Sequence, residues 1–350
     1  MMASPRQLSF QDRYLTLWIF LAMMLGLGVG WIVPEERQVL HTPPYNTLLA
    51  VGLMVMMYPP LVKVHYETLG KVFQNLKLLT FSLVQNWLVG PLVMFILAWL
   101  CLPGQPEYQM GLVMMGLARC IAMVLVWNDL AEGDADYAAG LVALNSLFQM
   151  VGYGALSWVF LTWLPPLVGL KGWAVVVQTH AIVENVLLYL GVPFLAGLVT
   201  RYVTLHLKGK QWLETVLLPR LAPVTLWALL ATIVMMFSLK AHTLFALPMV
   251  VIAIALPLAI YFGVMFFMTF ILSRYLGANQ GKATALAFTA AGNNFELAIA
   301  IAIAVFGVGS QQAFASVIGP LIEVPVLIVL VGVVPWLTAR TCFKATHARV

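Results

Sequence analysis

The sequence predicts an all-α membrane protein of ten transmembrane helices, arranged as a 5+5 inverted repeat whose discontinuous fourth and ninth helices cross near mid-membrane. Three observations lead there. Of 350 residues, 62% are hydrophobic and only 9% are charged, with a mean hydropathy of +0.96, whereas soluble domains carry about 25% charged residues. The apolar residues gather into ten runs, each long enough to approach the roughly 20 residues that a spanning helix needs. Two of those runs are interrupted at matching places, by Gly-Leu-Ala-Arg-Cys at 116–120 and by Gly-Asn-Asn-Phe-Glu at 292–296.

Taken in order, the runs lie at 15–33, 46–61, 78–101, 108–128, 137–163, 178–200, 216–239, 246–273, 283–306 and 313–336. The first is longer than a signal-peptide core and has no small-residue cleavage site before Pro34, so it reads as a retained helix. Gly26 and Gly30 within it form a small-xxx-small pair that serves helix packing. The runs at 137–163 and 246–273 are long enough to tilt or to extend past the bilayer. So little chain is left between runs that no soluble catalytic or regulatory domain fits.

Basic residues set the orientation. With both termini cytoplasmic, the inner segments hold Arg6, Arg13, Lys63, Lys71, Lys77, Arg201, Lys208, Lys210, Arg220, Arg274, Lys282, Arg340, Lys344 and Arg349. The outer segments hold only Arg37, Lys171 and Lys240, a strong positive-inside bias. The basic balance is therefore a topology signal and does not point to nucleic acid. One inner loop, with Asp129, Glu132, Asp134 and Asp136, carries no Lys or Arg; acids contribute little to orientation and serve here as helix N-caps. Five spans per half force the halves to run in opposite senses, giving a first repeat over 1–163, a second over 178–336 and a short cytoplasmic tail at 337–350. Identity between the halves is weak at the 175-residue offset of Arg119 and Asn294, so the repeat rests on hydropathy and on the two breaks.

Polar groups inside apolar spans are costly and mark substrate or ion pathways. Arg119 and Cys120 lie near the middle of the fourth run; Asn293, Asn294 and Glu296 lie at similar depth in the ninth. A helix broken there leaves inward-facing N–H and C=O groups, and Asn side chains can satisfy them or contact a polar solute. Cys120 reads as a small buried hydrophobe or, beside the Arg119 cation, as a thiolate that binds soft metalloids. Arg119 is equally explained as the partner of a buried carboxylate. Glu296 is the first candidate for carrying a proton. Glu323, in the Gly-Pro-Leu-Ile-Glu-Val-Pro segment at 319–325, is the second, and Glu184, with His180 one turn earlier near a span end, reads as an interfacial pair. Asn145 and Gln149, one turn apart in the fifth run, either line the cavity or bond between helices. Cys101, Cys120 and Cys342 show no paired spacing, which excludes a disulfide framework and a zinc site. The segment at 277–284 mimics a phosphate loop, but its glycines are too close together and Ala283 replaces the required Ser or Thr. No metalloprotease motif and no nucleophile elbow occur, so an enzyme is not expected and no cofactor is implied.

The segments at 116–130, 141–146, 189–197, 288–300 and 318–325 together resemble the signature segments of the Acr3 arsenite efflux transporters, within the bile acid, arsenite and riboflavin transporter superfamily. The resemblance runs from the second span to the tenth. It implies an inner-membrane carrier that exports arsenite, sometimes antimonite, against inward proton movement. It also carries the family's essential cysteine to Cys120 and its essential carboxylate to Glu296. On that reading Cys120 receives As(III) with Arg119, Asn293, Asn294 and Asn145 around it, Glu296 and Glu323 are the coupling groups, and the only metal-like ligand is the cargo itself. A lone thiolate suits turnover, because three would hold arsenic too tightly to release it. Protons and the lipid bilayer are the other partners, and a homodimer is left open. Two competitors remain: a sodium-coupled organic-anion symporter of the bile acid type, which leaves Cys120 unused, and a passive channel for neutral arsenous acid.

Overall fold

The computed structural model describes residues 15–32, 43–64, 66, 70, 73–121, 123–170, 179–307 and 309–347. Arg6, Arg13, Arg37, Lys71, Lys171 and Arg349, used above to orient the chain, lie outside the described residues, as do the side chains of Arg340, Cys342 and Lys344. Among the described residues the chain is helical and forms no strand beyond one isolated residue pair.

In chain order the helices are α1 (Leu15–Ile32) and α2 (Pro43–Lys63), α3 (Leu76–Cys101), α4 (Pro106–Leu117) and α5 (Met123–Leu130). There follow α6 (Ala135–Leu167), α7 (His180–Leu207), α8 (Gly209–Ala246) and α9 (Pro248–Tyr275). The chain ends with α10 (Gln280–Ala291), α11 (Phe295–Phe306) and α12 (Gln311–His347). Among the described residues every apolar run of the sequence is thus helical, and the two interrupted runs are each split in two. Among the described residues, six helices (α3, α6, α7, α8, α9 and α12) are long and apolar enough to cross a bilayer, and α1, α2 and α11 are shorter apolar helices. The chain is a multi-pass membrane protein. Helix is the form such segments must take, because lipid offers nothing to an unpaired backbone group. The last helix continues to His347, through most of the stretch read as a tail.

Four helices contain a π turn: Gln85–Val89 in α3, Val159–Trp163 in α6, Leu187–Gly191 in α7 and Leu213–Leu217 in α8. Each is followed by a proline, Pro91, Pro165, Pro193 or Pro219, near the start of the next helical segment. A proline has no N–H to donate and its ring crowds the carbonyl four residues back, so the ladder shifts by one residue instead of breaking. In α3 this wider turn brings Gln85, Asn86 and Trp87 into the interior.

Burial separates the broken helices from the rest. Residues 108–117 of α4, 283–291 of α10 and 295–302 of α11 are all buried. The surrounding helices instead expose large apolar side chains such as Val151 (80%), Met249 (73%) and Trp227 (68%), a surface suited to lipid. α1 and α2 pack on α8, and α2 also packs on α7; α4 lies against α3 and α12; α10 lies against α9 and α6. α11 touches α12, α7 and α2.

Close approach between helices depends on glycine. A Cβ on Gly26 would stand 2.6 Å from the Val234 carbonyl oxygen of α8, and one on Gly30 would fall on the Ser238 carbonyl. The pair Gly26 and Gly30 is therefore a packing seam, as its spacing suggests. Two cations counted above as loop charges are interior. Arg201, 1% exposed, donates to the Val62 carbonyl at 3.0 Å near the end of α2, and Lys240, 7% exposed, reaches the Ser310 carbonyl at 3.5 Å. Arg201 thereby satisfies a carbonyl in the last turn of α2 that lacks a helical partner, while Lys240 adds a second donor to a carbonyl that already accepts from Phe314 N–H at 3.1 Å. Among the loop acids, Asp134 caps α6 by accepting from Tyr137 N–H at 2.9 Å. The α1–α8 seam generates a prediction. Gly26→Leu should destabilise the detergent-purified protein by about 1–3 kcal/mol through overpacking, lowering its thermal midpoint, while Gly28→Leu, where an added Cβ meets nothing within 4 Å, leaves the midpoint unchanged.

Candidate functional site

The two breaks meet. α4 ends at Leu117 and α10 at Ala291, and the short segments that follow run antiparallel, with Arg119 opposite Asn293. Cys120 N–H donates to the Gly292 carbonyl at 3.3 Å and Asn294 N–H donates to the Ala118 carbonyl at 3.0 Å. Each bond is the counterpart of the other under a shift of 174 residues, the separation of Arg119 and Asn293. The sequence had suggested Arg119 with Asn294 as equivalents; the backbone pairing moves that register by one residue. It also extends beyond the breaks. Arg119 N–H donates to Gln149 Oε1 of α6, and Asn293 N–H donates to Glu323 Oε1 of α12 at 3.2 Å, each acceptor lying 30 residues beyond its donor.

Arg119 is fully buried. Its guanidinium donates to the Gly116 carbonyl of α4, to the Ala290 carbonyl of α10 at 3.1 Å and to Asn293 Oδ1 at 3.1 Å. The guanidinium carbon stands 6.0 Å from the centre of the Tyr261 ring on α9. α3 comes close because residue 90 is glycine: a Cβ there would lie 3.0 Å from an Arg119 nitrogen. Helix C-termini carry unpaired carbonyls and partial negative charge, and Arg119 serves two of them at once. The sequence led to the expectation that it supports a Cys120 thiolate or binds substrate; the hydrogen bonds of its guanidinium go to the two helix ends and to Asn293. Neighbours on an extended segment project to opposite sides, and the titratable groups that act on the Cys120 sulfur are the carboxyl groups of Glu323 and Glu296.

Cys120 is 3% exposed, and its sulfur lies against the Met123 and Val124 N–H groups at the start of α5. Gly292 makes room for it, since a Cβ on that residue would be 3.1 Å from Cys120 Cβ and 3.5 Å from Glu323 Oε1. Asn294, the counterpart of Cys120, caps α11 by accepting from Leu297 N–H at 3.0 Å. Its Nδ2 turns to Met57 Sδ of α2 at 3.8 Å. Asn293 Nδ2 and Glu323 Oε2 are buried without a hydrogen-bond partner. Glu296 occupies the first turn of α11 and is 6% exposed.

Asn145 lies apart from this network: its Oδ1 accepts from Trp87 Nε1 at 3.2 Å, and Trp87 packs on Phe148 with ring centroids 4.5 Å apart. Of the two amides noted on α6, Gln149 is the one that reaches the crossing. His180 and Glu184 pair at 3.5 Å on an exposed surface. Tyr261, Gly90 and Met57 had drawn no attention in the sequence; Pro91 beside Gly90 was the one available sign that α3 departs from a regular helix here. Among the described residues no three His, Cys, Asp or Glu side chains converge on a common point.

A lipid-suited bundle wrapped around two broken helices, with titratable and soft groups at their crossing, is the architecture of a secondary transporter. Residues 50–247 match the Sodium Bile acid symporter family. The chain is 47% identical over 338 residues to Arsenical-resistance protein Acr3 of Corynebacterium glutamicum, covering 96% of this chain and 91% of that protein. It is 34% identical over 348 residues to an uncharacterized transporter of Synechocystis, covering 93% of this chain and 88% of that one. Arsenical-resistance protein Acr3 of Alkaliphilus metalliredigens is 29% identical over 339 residues, covering 93% of this chain and 92% of that protein. The chain belongs to the Acr3 family.

The placement of Arg119 predicts that a lysine will not replace it. One ammonium cannot span both helix ends, and each carbonyl left unpaired costs about 1–3 kcal/mol. Arg119→Lys should therefore lower the thermal midpoint of the purified protein nearly as far as Arg119→Gln does.

Proposed function

We propose that the chain is an arsenite efflux carrier of the inner membrane, an As(III)/H⁺ antiporter driven by the proton motive force, with antimonite as a second cargo. One observation supports this above others. A single buried cysteine stands at the crossing, with the Glu323 carboxyl beside the same residue, Gly292, in a chain closely similar to an arsenical-resistance protein over nearly its whole length.

The chemistry follows from arsenous acid. The Cys120 thiol displaces one arsenic hydroxyl, forming an S–As bond and releasing water, and water reverses the step to release the cargo. One S–As bond is weak enough to turn over, where three would trap the metalloid. Asn293 Nδ2, buried and unpartnered, is placed to donate to a remaining hydroxyl. Asn294 spends its Oδ1 on the α11 cap and keeps only its Nδ2 for such a role. Glu296, in the first turn of α11 and 6% exposed, takes the proton arriving from outside. Each charge moving down 100 mV supplies about 2.3 kcal/mol.

The same reading makes the architecture a 5+5 inverted repeat, with halves at 1–163 and 178–336 and both termini cytoplasmic. The packing supports it: exchanging the halves turns the α1–α8 contact into α7–α2, α4–α12 into α10–α6, and α3–α4 into α9–α10. The register of 174 residues at the crossing supports it as well. A sodium-coupled symporter is the second reading, favoured by the description of the matching family.

Everted vesicles test both. Under an imposed pH gradient the parent should accumulate arsenite, and Cys120→Ala should lose at least about tenfold of that rate, the equivalent of 1.4 kcal/mol of transition-state binding. Equal transport by the two would end the proposal. Glu296→Gln should carry arsenite without responding to the pH gradient. Accumulation that follows a sodium gradient would favour the symporter.

A further inference from the structure

We infer that Gln149 and Glu323 are a matched pair of positioning residues that hold the two breaks in register, so that Glu323 works through its acceptor oxygen and leaves proton exchange to Glu296. The inference rests on the proposed function for its transport readout, and it goes beyond it by removing one of the two coupling candidates. Gln149 and Glu323 sit on α6 and α12, each 30 residues beyond the backbone N–H it accepts. Those N–H groups belong to Arg119 and Asn293, the residues that face each other at the crossing. The two side chains are 0% and 1% exposed, respectively. Each uses one heteroatom on the backbone, and each leaves the other, Gln149 Nε2 or Glu323 Oε2, without a partner.

The molecule thus contains its own comparison. At one position of the pair the task is done by a neutral amide, which cannot take up or give off a proton in the working range. What the two positions share is an sp² oxygen at the same reach, accepting an N–H that no helix satisfies. An unpaired N–H at that depth is costly, and a break that loses its holder no longer fixes the residue that follows it. For the first break that residue is Cys120; for the second it is Asn294, the cap of α11.

The test compares Glu323→Gln, which keeps the acceptor, with Glu323→Leu and Gln149→Leu, which remove it. Vesicles with Glu323→Gln should move arsenite within about threefold of the parent rate and keep the response to the pH gradient. Both leucine variants should lose about tenfold or more, as expected for a buried donor left unpaired. Loss of the pH response in Glu323→Gln, with an unchanged thermal midpoint, would overturn the inference. A second readout needs no cargo: the rate at which N-ethylmaleimide labels Cys120 in a background with Cys101 and Cys342 changed to serine. Gln149→Leu should raise that rate about fivefold or more, because the segment carrying the thiol is released. Glu323→Gln should match the parent. If Gln149→Leu labels at the parent rate, the positioning role is refuted even where arsenite transport itself fails to appear.

Discussion

Two backbone hydrogen bonds, from Cys120 N–H to the Gly292 carbonyl and from Asn294 N–H to the Ala118 carbonyl, are the constraint on which the rest of this molecule is built. A helix interrupted in an apolar interior exposes N–H and C=O groups that neither lipid nor apolar side chains can satisfy. Here two interruptions satisfy each other. What remains unmet is taken up by side chains: Gln149 and Glu323 accept the middle N–H groups, Asn294 caps α11, and Arg119 gathers carbonyls from the ends of α4 and α10. The glycines follow from the same requirement. Gly292 admits Cys120, and Gly90 admits the Arg119 guanidinium.

The crossing repeats its backbone and varies its side chains. Arg119 faces Asn293, Cys120 corresponds to Asn294, and Gln149 corresponds to Glu323. Glu296 has Ala122 at the matching place in the sequence. One half therefore contributes a cation and a soft sulfur, and the other contributes amides and acids. The backbone framework is common to the two breaks, while their side chains differ. In this arrangement the Arg119 side chain belongs to the framework, because the hydrogen bonds of its guanidinium described above close the ends of helices or fix Asn293.

Much of this was legible in the sequence, for identifiable reasons. A glycine followed by an arginine in one apolar run, and by two amides in another, is unmistakable, so both breaks were found, along with Cys120 and Glu296. The register between them was not, because hydropathy locates an element to within a few residues and says nothing of which N–H meets which carbonyl. Gln149 and Glu323 were seen singly and not as counterparts; one is neutral, the other acidic, and only their shared distance from the breaks relates them. Arg201 and Lys240 were read as loop charges, since a cation near a span end looks the same whether it faces water or closes a neighbouring helix. The hydrogen bonds of Arg119 to the helix ends were hidden because their acceptors are backbone carbonyls, which every residue possesses.

The meeting of Asn294 with Met57 has a mechanical side. α2 reaches the crossing there through an amide and a thioether 3.8 Å apart, and a thioether is a weak, polarisable acceptor that grips loosely. The backbone bonds that close the crossing all lie among α4, α5, α10 and α11 and their connecting segments. Parting α2 from the crossing therefore unzips no main-chain pairing and strands no charge. The contact between α2 and the crossing is thus held by packing and one weak polar contact, with the paired backbone lying wholly on the other side of it.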